Sequence, residues 1–98
     1  MKKDRLKKRI LQAIEDTPSK DVIKTISLFG SYLHGDNTKE SDVDLLLTLH
    51  KPIGFFALIG IQELLEQKLG KKVDIRTAKD LHHSFRNKVV NESEKVYG

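Results

Sequence analysis

Apolar residues in the first half of the chain fall into a helix-like segment and then a strand-like segment. They recur at three- and four-residue spacing between residues 5 and 16, and Pro18 ends the helix that this spacing predicts. Residues 22–29 are rich in β-branched and aromatic types and stop at Gly30, which predicts a strand entering a tight turn. Residues 31–40 are small and polar, which predicts a short helical turn and a loop.

The next two segments predict a buried strand and a buried helix. Residues 43–49 are continuously apolar, as is typical of a strand covered on both faces. Residues 55–69 carry apolar side chains at helical spacing, and Gly70 is a suitable C-terminal cap. We expect Phe55 and Phe56, at the start of this helix, to lie in the core.

The last quarter of the chain predicts one more strand and one more helix. Residues 73–77 form the strand, and Thr77 with Asp80 resembles a capping box for the helix. That helix should present Leu81, Phe85, Val89 and Val96 on one side. The helical crossover makes the second and third strands parallel. The fold class predicted is α/β, a small mixed sheet of about three strands with flanking helices.

Length and composition narrow the class of protein. With 98 residues, the chain is predicted to be a single domain over residues 1–98. It has no cysteine, which excludes disulfides and thiolate zinc sites. Its most apolar stretch, residues 53–61, is far shorter than the roughly 20 residues of a membrane-spanning helix. No secretion signal is visible, so we expect a soluble, cytoplasmic protein with no membrane contact.

The net charge of +4 favours an anionic partner: a nucleotide, a nucleic acid or an acidic protein. A run of basic residues lies within residues 2–9. We interpret this run as a solvated helix face, so direct binding of nucleic acid is not favoured.

Candidate chemistry begins with two aspartates. Asp42 and Asp44 are two apart at the start of a predicted strand, so both carboxylates face the same side of the sheet. Two adjacent anions repel unless a cation lies between them, and oxygen ligands of this kind suit Mg²⁺ shared with substrate phosphates. Asp74 lies on the neighbouring predicted strand and could complete a three-carboxylate cluster.

The Gly30-Ser31 turn supplies a second element of a site. Glycine lets the backbone approach a ligand closely, and the turn can direct N–H groups and a hydroxyl at a phosphate. A phosphate-holding turn beside a metal-binding carboxylate pair suits transfer of a nucleotidyl group from a nucleoside triphosphate. Asp74 is the candidate to accept the proton of the attacking hydroxyl.

Two other groupings do not support a nucleophilic triad or a histidine metal site. Ser31, His34 and Asp36 lack the Gly-x-Ser-x-Gly elbow of a nucleophilic serine. His82 and His83 are adjacent on a predicted helix, so their side chains diverge by about 100° and are interpreted as polar surface rather than metal ligands.

The segment GSYLHGDNTKESDVDLLL, with the later KKVDIRT, resembles the signature of the minimal nucleotidyltransferase (MNT) family in the DNA polymerase beta superfamily. That signature is Gly-Ser, ten residues, Asp-x-Asp and a third acidic residue on a later strand. The resemblance implies a polymerase-beta-like nucleotidyltransferase core. It also implies that Gly30, Ser31 and His34 bind the nucleotide. It implies that Asp42, Asp44 and Asp74 bind metal and act in catalysis. His34 departs from the family, in which this position is often arginine, and this lowers the expected nucleotide affinity.

The resemblance also implies a partner and cofactors. MNT proteins pair with HEPN-type toxins, which are helical ribonucleases, and neutralise them by transferring AMP from ATP to a tyrosine with Mg²⁺. The leading hypothesis is therefore an antitoxin that is a protein adenylyltransferase. Two alternatives stay open: a subunit of a small-molecule (aminoglycoside-type) nucleotidyltransferase, and a non-catalytic antitoxin that acts by binding alone.

Overall fold

The computed structural model describes residues 2–35, 38, 41–77 and 83–98, with backbone alone for residue 31, residues 83–86 and residue 90. Asp36, Asp80, Leu81 and His82, and the side chains of His83 and Phe85, lie outside this description. The elements in chain order are α1 (Lys3–Asp16), a 3₁₀ turn (Lys20–Val22), β1 (Ile23–Phe29), α2 (Ser31–His34), β2 (Val43–Leu49), α3 (Phe55–Leu69), β3 (Val73–Thr77), α4 (His83–Glu92) and β4 (Glu94–Tyr97).

The four strands form one mixed sheet in the order β3-β2-β1-β4. β1 is antiparallel to β2 and to β4, and β2 is parallel to β3, as the crossover through α3 predicted. The register places Phe29 opposite Asp44, and Asp44 opposite Asp74. The ends of three strands that carry the candidate site therefore meet at one end of the sheet.

The main core lies between one face of the sheet and the helices α1 and α3. Its fully buried side chains come from α1, β1, β2 and α3 and include Leu6, Ile10, Ile14, Ile26, Leu28, Val43, Leu45, Leu47, Ile61 and Leu65. On the opposite face, Leu46 and Phe29 pack against Val89 of α4. β2 is thus covered on both faces at its centre, as its continuous apolar sequence predicted.

A fourth strand was not predicted, and the placement of Val96 on the last helix was wrong. The helix ends at Glu92, and Glu94–Tyr97 pairs with β1 as an antiparallel edge strand. Four residues are too few to show a two-residue period, and the pairing depends on an open edge of β1 that the local sequence does not reveal. Val96 packs against the main core from this strand.

The prediction that Phe55 and Phe56 lie in the core was also wrong. Their side chains are 71% and 86% exposed, and their rings meet edge to face with centroids 6.1 Å apart. Farther along α3, Leu58 is partly buried and Ile61 is fully buried. The first turn of α3 therefore projects past the core, although its spacing continues the buried stripe.

Two sets of polar contacts join helices to strands. A carboxylate oxygen of Glu66 on α3 accepts a hydrogen bond of 3.0 Å from the Val73 backbone N–H, where β3 starts. Glu94 on β4 pairs with Lys7 and, at 3.4 Å, with Lys3 of α1, and the hydrogen bond from Lys7 lowers the pKa of Glu94.

Among the helices that the structure describes, none has the length and apolar character needed to cross a membrane.

Candidate active site

Gly30 forms a tight turn directly against an acidic side chain. Its φ of +77° lies in the left-handed region, and its carbonyl accepts hydrogen bonds from the N–H groups of Leu33 at 3.1 Å and His34 at 3.3 Å. A Cβ added at this position would stand only 2.1 Å from Oδ2 of Asp44. Glycine is therefore required twice, for the backbone conformation and for the approach of the Asp44 carboxylate.

The short helix α2 is held at the site by Tyr32. This side chain is 3% exposed and belongs to the main core. Anchoring α2 at this residue fixes the backbone of Ser31, which begins the helix, and of His34, which ends it. The side chain of Ser31 lies outside the described part of the chain, whereas His34 is solvent-exposed.

The three predicted aspartates come together at the same end of the sheet. Asp42 lies immediately before β2 and is exposed, Asp44 lies within β2 and is half-buried, and Asp74 is directly opposite Asp44 on β3. Burial raises the pKa of Asp44, and the negative charges of Asp74 and Asp42 raise it further. The cluster thus concentrates negative charge that the protein only partly compensates.

Arg76 supplies part of that compensation and was missed in the sequence. Its Nε lies 3.3 Å from Oδ1 and 3.4 Å from Oδ2 of Asp74, and its charge opposes the rise in the pKa of Asp44. Arg76 is two residues from Asp74 on the same strand, so both side chains face the same side of the sheet. That two-residue spacing could have identified Arg76 from the sequence.

The aspartates fit a divalent cation by their chemistry. Within the described ranges, no group of three or more acidic, histidine or cysteine side chains is arranged to hold a metal ion. The raised pKa of Asp44 nevertheless shows that the neighbouring carboxylates act on it, and an added cation would relieve this repulsion. Carboxylate oxygens are the ligands that Mg²⁺ prefers, so Asp42, Asp44 and Asp74 are suited to hold it.

A cavity of about 190 Å³ opens beside Gly30, between α2 and α4. Its apolar lining comes from Phe29, Leu33 and Val89, and its polar lining from His34, Lys88 and Glu92. Sequence reasoning missed Lys88 and Glu92, because only the packing of α4 on the sheet brings them to the site. A larger cavity of about 450 Å³ lies at the other end of β2, between residues 50–53 and Thr77, away from the aspartates.

Comparisons with known proteins identify the family. The model of the nucleotidyltransferase domain family matches residues 7–96. The protein adenylyltransferase MntA of Thermococcus cleftensis is 31% identical over 70 residues, which cover 71% of each chain.

Two solved complexes share the fold. One is a toxin–antitoxin complex with AMP-PNP, with a TM-score of 0.78 and 22% identity over 94% of this chain and 73% of that one. The other is a tri-AMPylated Shewanella oneidensis HEPN toxin in complex with an MNT antitoxin, with a TM-score of 0.70 and 20% identity over 97% of this chain and 71% of that one. The family match spans nearly the whole chain and includes the Gly30 turn and all three aspartates, so the chain belongs to the nucleotidyltransferase domain family.

Proposed function

We propose that residues 1–98 form a single-domain, Mg²⁺-dependent nucleotidyltransferase that transfers AMP from ATP to a tyrosine of a HEPN-type toxin and thereby neutralises it. The observation that carries this proposal is the contact of the Asp44 carboxylate with the Gly30 turn, in register with Asp74. A turn suited to phosphate thus lies in direct contact with a carboxylate cluster suited to a cation. We place this activity in the cytoplasm, where ATP is supplied.

Gly30 and Ser31 are assigned to the triphosphate because the turn leaves no side chain at position 30 between the backbone and a ligand. Asp42, Asp44 and Asp74 would hold Mg²⁺, which supplies neutralisation of the phosphate charge when bound. Asp74 is also assigned the proton of the attacking hydroxyl, and Arg76 acts as its positioning residue at 3.3 Å.

The reaction forms a bond between the acceptor oxygen and the α-phosphorus of ATP. The bond between the α-phosphorus and the bridging oxygen to the β-phosphate breaks, and pyrophosphate leaves with the electron pair. The hydroxyl proton passes to the carboxylate of Asp74. Positioning of the two reactants and neutralisation of charge supply most of the rate acceleration in this class of reaction.

The choice of a protein acceptor rests on the relatives. The curated relative is named a protein adenylyltransferase, and one structural neighbour is a HEPN toxin that carries AMP groups beside its antitoxin. The other neighbour was solved with AMP-PNP, an ATP analogue, which favours ATP as the donor. These facts favour a protein adenylyltransferase over a small-molecule nucleotidyltransferase.

The proposal is tested by co-expression of this chain with a HEPN-type toxin from the same genome, followed by intact mass and growth measurements. Asp42→Asn with Asp44→Asn removes two charges and preserves side-chain volume. Asp4→Asn with Asp21→Asn removes the same charge at exposed positions away from the site. We expect an AMP-sized mass increase on the toxin with the wild type and the control pair, and none with the site pair, although the complex still forms.

Full neutralisation by the site pair, with no mass change on the toxin in any strain, would contradict the enzyme proposal and support an antitoxin that acts by binding alone. A mass increase on an aminoglycoside instead of the toxin would support the small-molecule alternative.

A further inference from the structure

The cavity between α2 and α4 adjoins the carboxylate cluster at a single residue. Gly30 is in contact with the Asp44 carboxylate, and the same glycine lines the cavity. A ligand that lies along this turn therefore has the carboxylates at one end and the cavity at the other. Lys88 and His34 are the two nitrogen-bearing side chains in the cavity lining.

The cavity is lined by Gly30 and His34, both already assigned to the nucleotide, and we propose that Lys88 neutralises the β- and γ-phosphates there as pyrophosphate departs. The inference rests on the proposed nucleotidyl transfer. The α-phosphorus must lie beside the carboxylates, because Asp74 takes the proton of its attacker there. The rest of the triphosphate then extends past Gly30 into the cavity. The cavity has a volume of about 190 Å³ and is lined by Lys88.

Lys88 is suited to this task by its position and charge. It lies on the exposed side of α4, one residue before Val89, whose burial against Leu46 fixes the helix on the sheet. In the described part of the chain, no salt bridge engages the Lys88 ammonium, although Glu92 lines the same cavity one turn later. An ammonium is a compact cation with three donors, which suits a departing phosphate whose charge increases.

Glu92 should affect phosphate binding in the opposite direction to Lys88. Its carboxylate lines the cavity and repels an anion there, so its removal should strengthen phosphate binding whereas removal of Lys88 should weaken it. A role of the cavity in holding the adenine base predicts a different pattern, because neutral aromatic rings depend little on either charge.

The test is calorimetric binding of magnesium pyrophosphate, magnesium ATP and AMP to the full chain. Lys88→Gln removes the charge, retains a polar side chain and favours a helix, and Lys51→Gln makes the same charge change at the other end of β2. We expect Lys88→Gln to weaken pyrophosphate and ATP binding roughly tenfold or more and to change AMP binding little. Lys51→Gln should match the wild type, and Glu92→Gln should bind pyrophosphate more tightly.

Unchanged pyrophosphate affinity in Lys88→Gln would overturn this inference. The proposed function would still stand if the wild-type protein binds ATP and transfers AMP. An equal loss for AMP would also overturn it, since AMP lacks the phosphates assigned to the cavity. If the wild type bound neither ATP nor pyrophosphate, the proposed function itself would fail, and the inference with it.

Discussion

Asp44 is the residue at which the demands of folding and of the site conflict most directly. It is half-buried, faces Asp74 across the parallel strand pair and lies against the Gly30 turn. Its pKa is raised by burial and then by Asp74 and Asp42, so its ionised form is penalised in the folded state. The native state then binds more protons than the unfolded chain above the ordinary pKa of 3.8, and stability falls as the pH rises through this window.

Asp44→Asn should therefore stabilise the chain at neutral pH in the presence of a chelator. We expect an increase in Tm of a few degrees, on the order of 1 kcal/mol in unfolding free energy, which diminishes as the pH approaches the ordinary aspartate pKa. Asp21→Asn, at an exposed position, is the matched control. Thermal unfolding monitored by circular dichroism measures both, and a lower Tm for Asp44→Asn at neutral pH would contradict this account of the cluster.

The residues of the site differ in how far the sequence could identify them. Asp42, Asp44 and Gly30 belong to a local motif, so their spacing was enough for a prediction. Asp74 required only the strand pairing that the α3 crossover implied, and the register confirmed that pairing. Lys88 could not be found in this way, because its proximity to Gly30 depends on how α4 packs on the sheet.

At the scale of elements, α4 and β4 form one structural unit at the site. α4 carries Val89 against the sheet, and its last turn closes with a hydrogen bond of 2.9 Å from the Ser93 N–H to the Val89 carbonyl. β4 follows at once and pairs with β1. The strand therefore fixes the C-terminal end of the helix that carries Lys88, which links the unpredicted strand to the proposed site.

Glu94 ties this unit to α1 through Lys3 and Lys7, and its pKa is lowered mainly by the hydrogen bond from Lys7. A lowered pKa means that the ion pairs stabilise the fold above the ordinary value of 4.5 and cease to do so as the pH falls through the lowered pKa. Glu94→Gln should reduce the unfolding free energy at pH 7 by about 0.5 kcal/mol, because the three side chains remain partly exposed to solvent, which screens the pairs. The loss should shrink in high salt.

Urea denaturation at low and high salt measures this effect, with Glu63→Gln on the exposed side of α3 as the control. A loss of stability equal to that of the control at low salt would contradict the assigned role of Glu94.

The helices and strands were easier to predict from the sequence than the way they pack together. Helical periodicity located α1 and α3, and a continuous apolar run located β2, but neither pattern showed where the core ends, and so Phe55 and Phe56 were misplaced.

At the scale of the whole molecule, a basic chain carries an acidic cluster at one end of its sheet. The net charge of +4 favours the approach of an anionic nucleotide, whereas Asp42, Asp44 and Asp74 repel it. A divalent cation reconciles these two facts, because it is attracted by the cluster and in turn attracts the triphosphate. Cation and nucleotide binding should therefore be thermodynamically coupled, each strengthening the other by the same factor.

The most direct test of this central claim is the affinity for ATP measured by calorimetry with Mg²⁺ and with a chelator. The account predicts that Mg²⁺ strengthens ATP binding by at least roughly tenfold in the wild type, a coupling of about 1.4 kcal/mol. The Asp42→Asn, Asp44→Asn pair should lose this enhancement, and the Asp4→Asn, Asp21→Asn pair should retain it. Equal ATP affinity with and without Mg²⁺ in the wild type would contradict a shared site for the cation and the nucleotide.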